Sequence, residues 1–179
     1  NLNNTIGVPL TLLRLEARHE FAVIEMGANG AGEIAVSVAA TKPNIALITK
    51  ASAAQIEGFG SLQGIVLAKG EIIDGLSVKG VAVLNANDPN CQQWVKRAVQ
   101  SQVRLFSYGN KVPEADYRCS ATRLVAGGGV AFTLYTPQGE IDAEIQLLGS
   151  HNAENALSAA ACALEAGASL DDVRIGLKQ

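Results

Sequence analysis

Residues 61–85 read SLQGIVLAKGEIIDGLSVKGVAVLN, and two periodicities meet in this one stretch. Leu62, Ile65, Ile72 and Leu76 follow the three-and-four spacing of a helix face across residues 61–76. Residues 80–84 are instead a short apolar run, the pattern of a strand buried on both faces. A helix that delivers its chain into such a strand is half of the crossover unit that parallel strands require. Working outward, Asp88-Pro89 reads as an N-cap and first-turn proline opening a helix, which leads to a strand at residues 104–107. On the other side, residues 45–49 form another short apolar strand, preceded by a helix over residues 33–41 that Lys42-Pro43 ends. Residues 21–26 form a further apolar run, read as a buried strand ending at Gly27, and residues 9–15 carry helical spacing. Strands alternating with helices predict an α/β fold, a three-layer, mostly parallel sheet flanked by helices.

The pattern changes after residue 115. Residues 116–124, 130–136 and 140–147 are β-like and joined by Gly127-Gly128-Gly129 and Pro137-Gln138-Gly139, which predicts a small antiparallel β meander. Residues 152–166 are alanine-rich and helical, Gly167 ends that helix, and Ser169 caps a last one.

A chain of 179 residues with 48% hydrophobic and 17% charged residues has the size and composition of one domain. Its net charge of −3 offers no basic field for polyanions, so nucleic acid is excluded as a partner. Cys91, Cys119 and Cys162 are odd in number and form no CxxC pair, which fits a reducing cytoplasm better than a disulfide framework or a zinc knuckle. No apolar run approaches the roughly 20 residues that span a bilayer, so a soluble protein without membrane insertion is expected. Asn1 is not an initiator methionine, which suggests an interior fragment.

In an open α/β sheet, ligands bind beyond the carboxyl ends of the strands. Glu25 interrupts an apolar run just before Gly27, which suits either a metal or phosphate ligand at the rim or an acid paired with a basic neighbour. Lys69 occupies the missing position of the apolar stripe. A buried ammonium must be paired, deprotonated or chemically modified, while the plainer reading is a lysine that snorkels from the helix edge or pairs with Glu25. Gly27, Gly30 and Gly32 are out of order for a dinucleotide fingerprint, and no acid ends the following strand. GxxxxGK followed by Ser or Thr, the phosphate loop, is absent. His151, Asn152 and Asn155 open a helix where two amides can face one ligand, although capping alone explains Asn152. Asn85, Asn87 and Asp88 are adequately explained as turn and cap residues, and His19 as solvent-facing.

Taken together and in order, NLNNTIGVPLTLL, EMGAN followed by GEI, EGFGS, AKGEI and GSHNAENAL resemble the central domain of the Mur ligases over essentially the whole chain. Among these, the strings are most similar to the branch that adds D-alanyl-D-alanine to UDP-N-acetylmuramoyl-tripeptide. The resemblance implies that residues 1–179 are an incomplete P-loop-type central domain, with the phosphate-loop segment and an N-terminal domain missing before residue 1 and a C-terminal domain missing after residue 179. It implies an ATP-dependent ligase of peptidoglycan synthesis, cytoplasmic and monomeric when full length, on which cell shape and division depend. The tripeptide carboxylate would take the γ-phosphoryl group of ATP, and the dipeptide amine would attack the acyl phosphate, with Mg2+ neutralising the transferring group.

The resemblance also implies roles residue by residue. Glu25 matches a magnesium-binding glutamate. Lys69 matches a lysine that reacts with carbon dioxide to give a metal-binding carbamate. His151, Asn152 and Asn155, together with Asn85, correspond to the ATP site, and Asn4 with Thr5 to the muramoyl-peptide site. Four positions depart from the family pattern: Lys50 replaces an Asn, Gln55 a metal-site His, Gly30 a His, and Ser150 a basic residue. The amide oxygen of Gln55 remains a hard-cation donor. Lys50 and Gln55 are the features that would suit an alternative, a non-catalytic nucleotide-binding or scaffold module; a ligase for another amino acid is the alternative within the class.

Overall fold

The computed structural model describes residues 2–52 and 56–179. Three parallel strands, β1 (Ile45–Ile48), β2 (Val81–Asn85) and β3 (Arg104–Tyr108), stand in the order β1-β2-β3. The period-2 alternation of side chains splits the core between the two faces of this sheet. Ala82 and Leu84 of β2 join Ala46 and Ile48 on one face, under helices α4 (Leu62–Asp74) and α5 (Cys91–Gln100). Val81 and Val83 point to the other face, where helix α6 (Ser150–Glu165) lays Ala153, Ala156, Leu157, Ala160 and Ala161. The alanines let α6 sit close to the sheet. The indole of Trp94, 1% exposed, donates to the Val66 carbonyl at 2.9 Å and locks α5 to α4. The expected α/β fold with a layer of helices on each face of a parallel sheet is present.

Helix α2 (Glu33–Thr41) packs on α4, which lies between it and the sheet, and the short helix α1 (Gly7–Leu12) packs on α2. Helix α3 (Ile56–Phe59) leads into α4, whose N-cap Ser61 accepts the Gly64 N–H at 3.0 Å. Helix α5 begins later than the sequence suggests. Asp88 is not its N-cap but holds the turn before it, accepting the backbone N–H of Asn90 at 2.7 Å.

The antiparallel meander is built on β6 (Gly129–Thr136), paired on one side with β7 (Gly139–Ile145). Its other side meets two short strands, β4 (Arg118–Cys119) and β5 (Arg123–Val125), where one stretch was expected. Ser120 explains the break: its hydroxyl accepts the Thr133 N–H at 2.9 Å in place of a backbone carbonyl. Helix α7 (Leu170–Lys178) opens with the expected Ser169 cap, completed by Asp172 into a capping box.

Residues 21–26 depart from expectation. They form no strand, and Phe21 and Val23 are 70% and 98% exposed. Apolar sequence is not sufficient for a strand, which also needs a neighbour to satisfy its backbone, and no described strand pairs with this run. No helix among the described residues is long and apolar enough to cross a membrane.

Candidate functional site

The carboxyl ends of β1 and β2 carry a hydrogen-bonded rim. The Asn85 amide donates to the Thr49 carbonyl at 2.7 Å while its oxygen accepts the Asn87 N–H at 2.9 Å. Asp88, 7% exposed, accepts the Ala51 N–H at 2.8 Å and so ties the segment after β1 to the turn after β2. Asn87 in turn donates to Glu154 at 2.8 Å and accepts the Lys111 N–H at 2.9 Å. Through Glu154 the first turns of α6, with His151, Asn152 and Asn155, are docked against this rim. Asn87 and Asp88 look like local turn and cap residues in the sequence, because partners 37 to 67 residues away leave no local signal.

A pocket lies on the α2 side of α4, lined by Met26, Gly27, Ala28, Ile34, Phe59, Ile65, Ala68 and Lys69. Its wall brings AKGEI against EMGAN. Lys69 is half-buried on the helix face whose buried members are Ile65, Val66, Ala68, Gly70 and Ile73. Burial holds its ammonium below the ordinary lysine range, and the charge of Asp88 offsets part of that shift. Burial likewise pushes the Cys91 thiol and the Tyr108 phenol up, leaving both protonated at neutral pH.

Glu25 is exposed just ahead of the pocket wall and accepts from the Asn3 amide at 2.9 Å. The Asn3 carbonyl also accepts the Gly27 N–H at 2.7 Å, so the NLNN segment lies directly on the turn that follows Glu25. A Cβ at Gly27 would stand 3.1 Å from the Asn3 side chain, which accounts for that glycine by close approach rather than by turn conformation. Gly32, with φ of 86°, is the member of the glycine trio that requires the left-handed region. Asn4 accepts the N–H groups of Ile6 and Gly7 at 3.2 and 2.7 Å and starts α1, and Thr5 follows it half-buried.

In α6 the N-cap is Gly149, and Asn152 is a first-turn residue rather than the cap. Its amide donates to Leu148 at 2.9 Å and its oxygen accepts from Asn155 at 3.3 Å, so the two amides do share one side of the helix. His151 is exposed beside them, as is Lys50 after β1. Gln55 lies outside the described residues. Among the described residues no three His, Cys, Asp or Glu side chains converge as a ready-made metal cage. Mg2+ asks for less, since it is commonly held by one or two carboxylates with phosphates and water completing its shell. Glu25 beside the pocket wall fits that demand.

Comparison with known proteins gives this geometry a context. The Mur ligase middle domain matches residues 1–163. The UDP-N-acetylmuramoyl-tripeptide--D-alanyl-D-alanine ligase of Escherichia coli (strain K12) is 44% identical over 178 residues, 99% of this chain and 38% of the relative. That of Haemophilus influenzae is 46% identical over 179 residues, 100% of this chain and again 38% of the relative. The chain therefore spans well under half the length of these relatives. A crystal structure of MurF from Acinetobacter baumannii superposes with a TM-score of 0.92 at 35% identity, covering 100% of this chain and 38% of that one. MurF from Thermotoga maritima in complex with ADP shares the fold, with a TM-score of 0.82 at 21% identity, covering 99% of this chain and 40% of that one. The chain belongs to the Mur ligase family and corresponds to its middle domain.

Proposed function

We propose that this chain is the ATP-handling middle portion of a longer cytoplasmic ligase that joins D-alanyl-D-alanine to UDP-N-acetylmuramoyl-tripeptide. The observation that carries this reading is Lys69, half-buried in a pocket whose opposite wall is the Met26-Gly27-Ala28 turn that follows Glu25. A cation placed there with depressed basicity suits a lysine that is used chemically. Similarity to D-alanyl-D-alanine ligases along the whole chain supports the substrate pair.

In this reading the tripeptide carboxylate attacks the γ-phosphorus of ATP, ADP leaves, and the dipeptide amine then displaces phosphate from the acyl phosphate to form the amide. Mg2+ would supply charge neutralisation at the phosphoryl oxygens. Glu25 would hold it, with Lys69 as its carbamate after reaction with carbon dioxide, and with Gln55 as a further oxygen donor. Asn152 and Asn155 present paired amides for the adenine side of ATP, with His151 next to them. Asn85 acts mainly by fixing the rim, because both ends of its amide are engaged by Thr49 and Asn87. Asn4 and Thr5 would line the muramoyl-peptide side, next to Asn3, which lies on the turn that follows Glu25.

The test is phosphate release by the full-length ligase carrying this segment, given ATP, Mg2+, UDP-N-acetylmuramoyl-tripeptide and D-alanyl-D-alanine, with each substrate omitted in turn. Release that requires both acceptor and dipeptide is expected. Lys69→Ala should abolish ligation and leave the protein folded, and near-normal turnover by that variant would remove Lys69 from the mechanism. No release by the folded wild type would favour the non-catalytic module.

A further inference from the structure

Helix α2 lacks both halves of a capping box. Its N-cap is Gly32, which has no side chain to accept the N3 N–H, and its N3 residue is Ala35, which cannot reach back to the N-cap N–H. Both donors are nevertheless satisfied. Glu71 of α4 accepts the Gly32 N–H through Oε1 at 2.8 Å and the Ala35 N–H through Oε2 at 3.0 Å, across 39 and 36 residues of sequence. One carboxylate thus replaces an entire local cap and does so from another helix.

The placement matters more than the cap. Glu71 lies two residues after Lys69, and Gly32 ends the turn that begins at Glu25 and Met26. The same turn is braced within itself by Glu33, which accepts the Asn29 N–H at 3.0 Å. It is backed by Gly58, where any Cβ would collide with the Asn29 carbonyl. Glu71 is therefore a polar tie between the helix carrying Lys69 and the start of α2, where the segment that follows Glu25 ends.

Resting on the ligase reading above, we propose that Glu71 is a positioning residue of the reaction. It sets the separation of Glu25 and Lys69, and hence affinity for the divalent cation, without touching substrate. Groups that orient metal ligands from behind typically change metal affinity by roughly 10-fold or more when removed.

The experiment compares full-length wild type, Glu71→Ala, and Glu71→Ala combined with Ala35→Glu. The added glutamate at N3 restores a local acceptor for the Gly32 N–H, and so the helix cap, but not the tie to α4. Three quantities are read: thermal midpoint without metal, Mn2+ affinity by electron paramagnetic resonance with a non-hydrolysable ATP analogue, and turnover. Glu71→Ala should weaken Mn2+ binding by roughly 10-fold and lower turnover, while KM for D-alanyl-D-alanine is unchanged. Adding Ala35→Glu should recover the thermal midpoint and leave Mn2+ affinity low. Unchanged Mn2+ affinity in Glu71→Ala, or its recovery together with the midpoint in the double variant, would reduce Glu71 to a helix cap and overturn the proposal. A folded wild type without ligase activity would instead overturn the functional reading, and this inference with it.

Discussion

Val81–Asn85 and residues 21–26 carry the same kind of sequence, five or six residues dominated by Val, Ala, Ile and Leu between glycine or polar breaks. In the first, Val81 to Leu84 are at most 2% exposed, with a strand on either edge and a helical layer on either face. In the second, Val23 is 98% exposed, and the turn after the run is held through Asn3 rather than by a ladder. Apolar composition makes a segment able to be a central strand. Neighbours on four sides make it one.

The contrast can be broken most directly at Leu84, which is fully buried among Ala46, Ile48, Val66 and Trp94. Leu84→Ala in the 179-residue chain should cost about 2–5 kcal/mol, the usual range for emptying a tightly packed leucine site. Urea unfolding followed by Trp94 fluorescence reads the loss from inside the same cluster. A cost below about 1 kcal/mol would mean that the site collapses to fill the hole, and that β2 is less constrained than its burial implies.

The elements that could be read from sequence are those whose cause is local or periodic. The α4–β2 unit announced itself by three-and-four spacing followed by an apolar run, and Ser169 by its place just after the helix-ending Gly167. What could not be read depends on distant partners. Ser120 divides one expected strand because Thr133 meets its hydroxyl, and Asp88 looks like a helix cap until Ala51 is seen to bond to it. The candidate site follows the same division. Lys69 stood out because it interrupted an apolar stripe, whereas Glu71, in the same AKGEI string, is an ordinary acidic helix residue until α2 is packed beside it. Spacing alone also placed Asn152 at the cap, and only the backbone at Gly149 shows that the helix starts earlier.

A smaller effect sharpens the comparison from the local side. The Ser169 cap needs no distant partner, so Ser169→Ala should cost about 1 kcal/mol wherever in the fold α7 is docked. Hydrogen bonds from the Ser169 hydroxyl, and then from its backbone N–H, hold the Asp172 carboxyl below its ordinary value of 3.8. A depressed carboxylate contributes stability that is complete above the unfolded pKa and lost as pH falls through the folded one. The gap between wild type and Ser169→Ala should therefore be constant at neutral pH and shrink as the pH drops below about 3.8. Unfolding midpoints of the two proteins at neutral and acid pH test this, and a gap independent of pH would detach Asp172 from the cap.

The smallest expected effect carries the comparison furthest. Val23→Ala, in the exposed apolar run, should change the stability of the 179-residue chain by no more than about 0.5 kcal/mol, as surface substitutions usually do. Set beside Leu84→Ala, the pair asks whether burial or composition decides what an apolar residue is worth. If Val23→Ala costs several times that amount in the same urea experiment, the run is covered in solution by something that buries it. Residues 21–26 would then have to be assigned to the core. If the cost stays small, the apolar character of this run contributes nothing to the fold of the chain itself, and burial rather than composition decides what an apolar residue is worth.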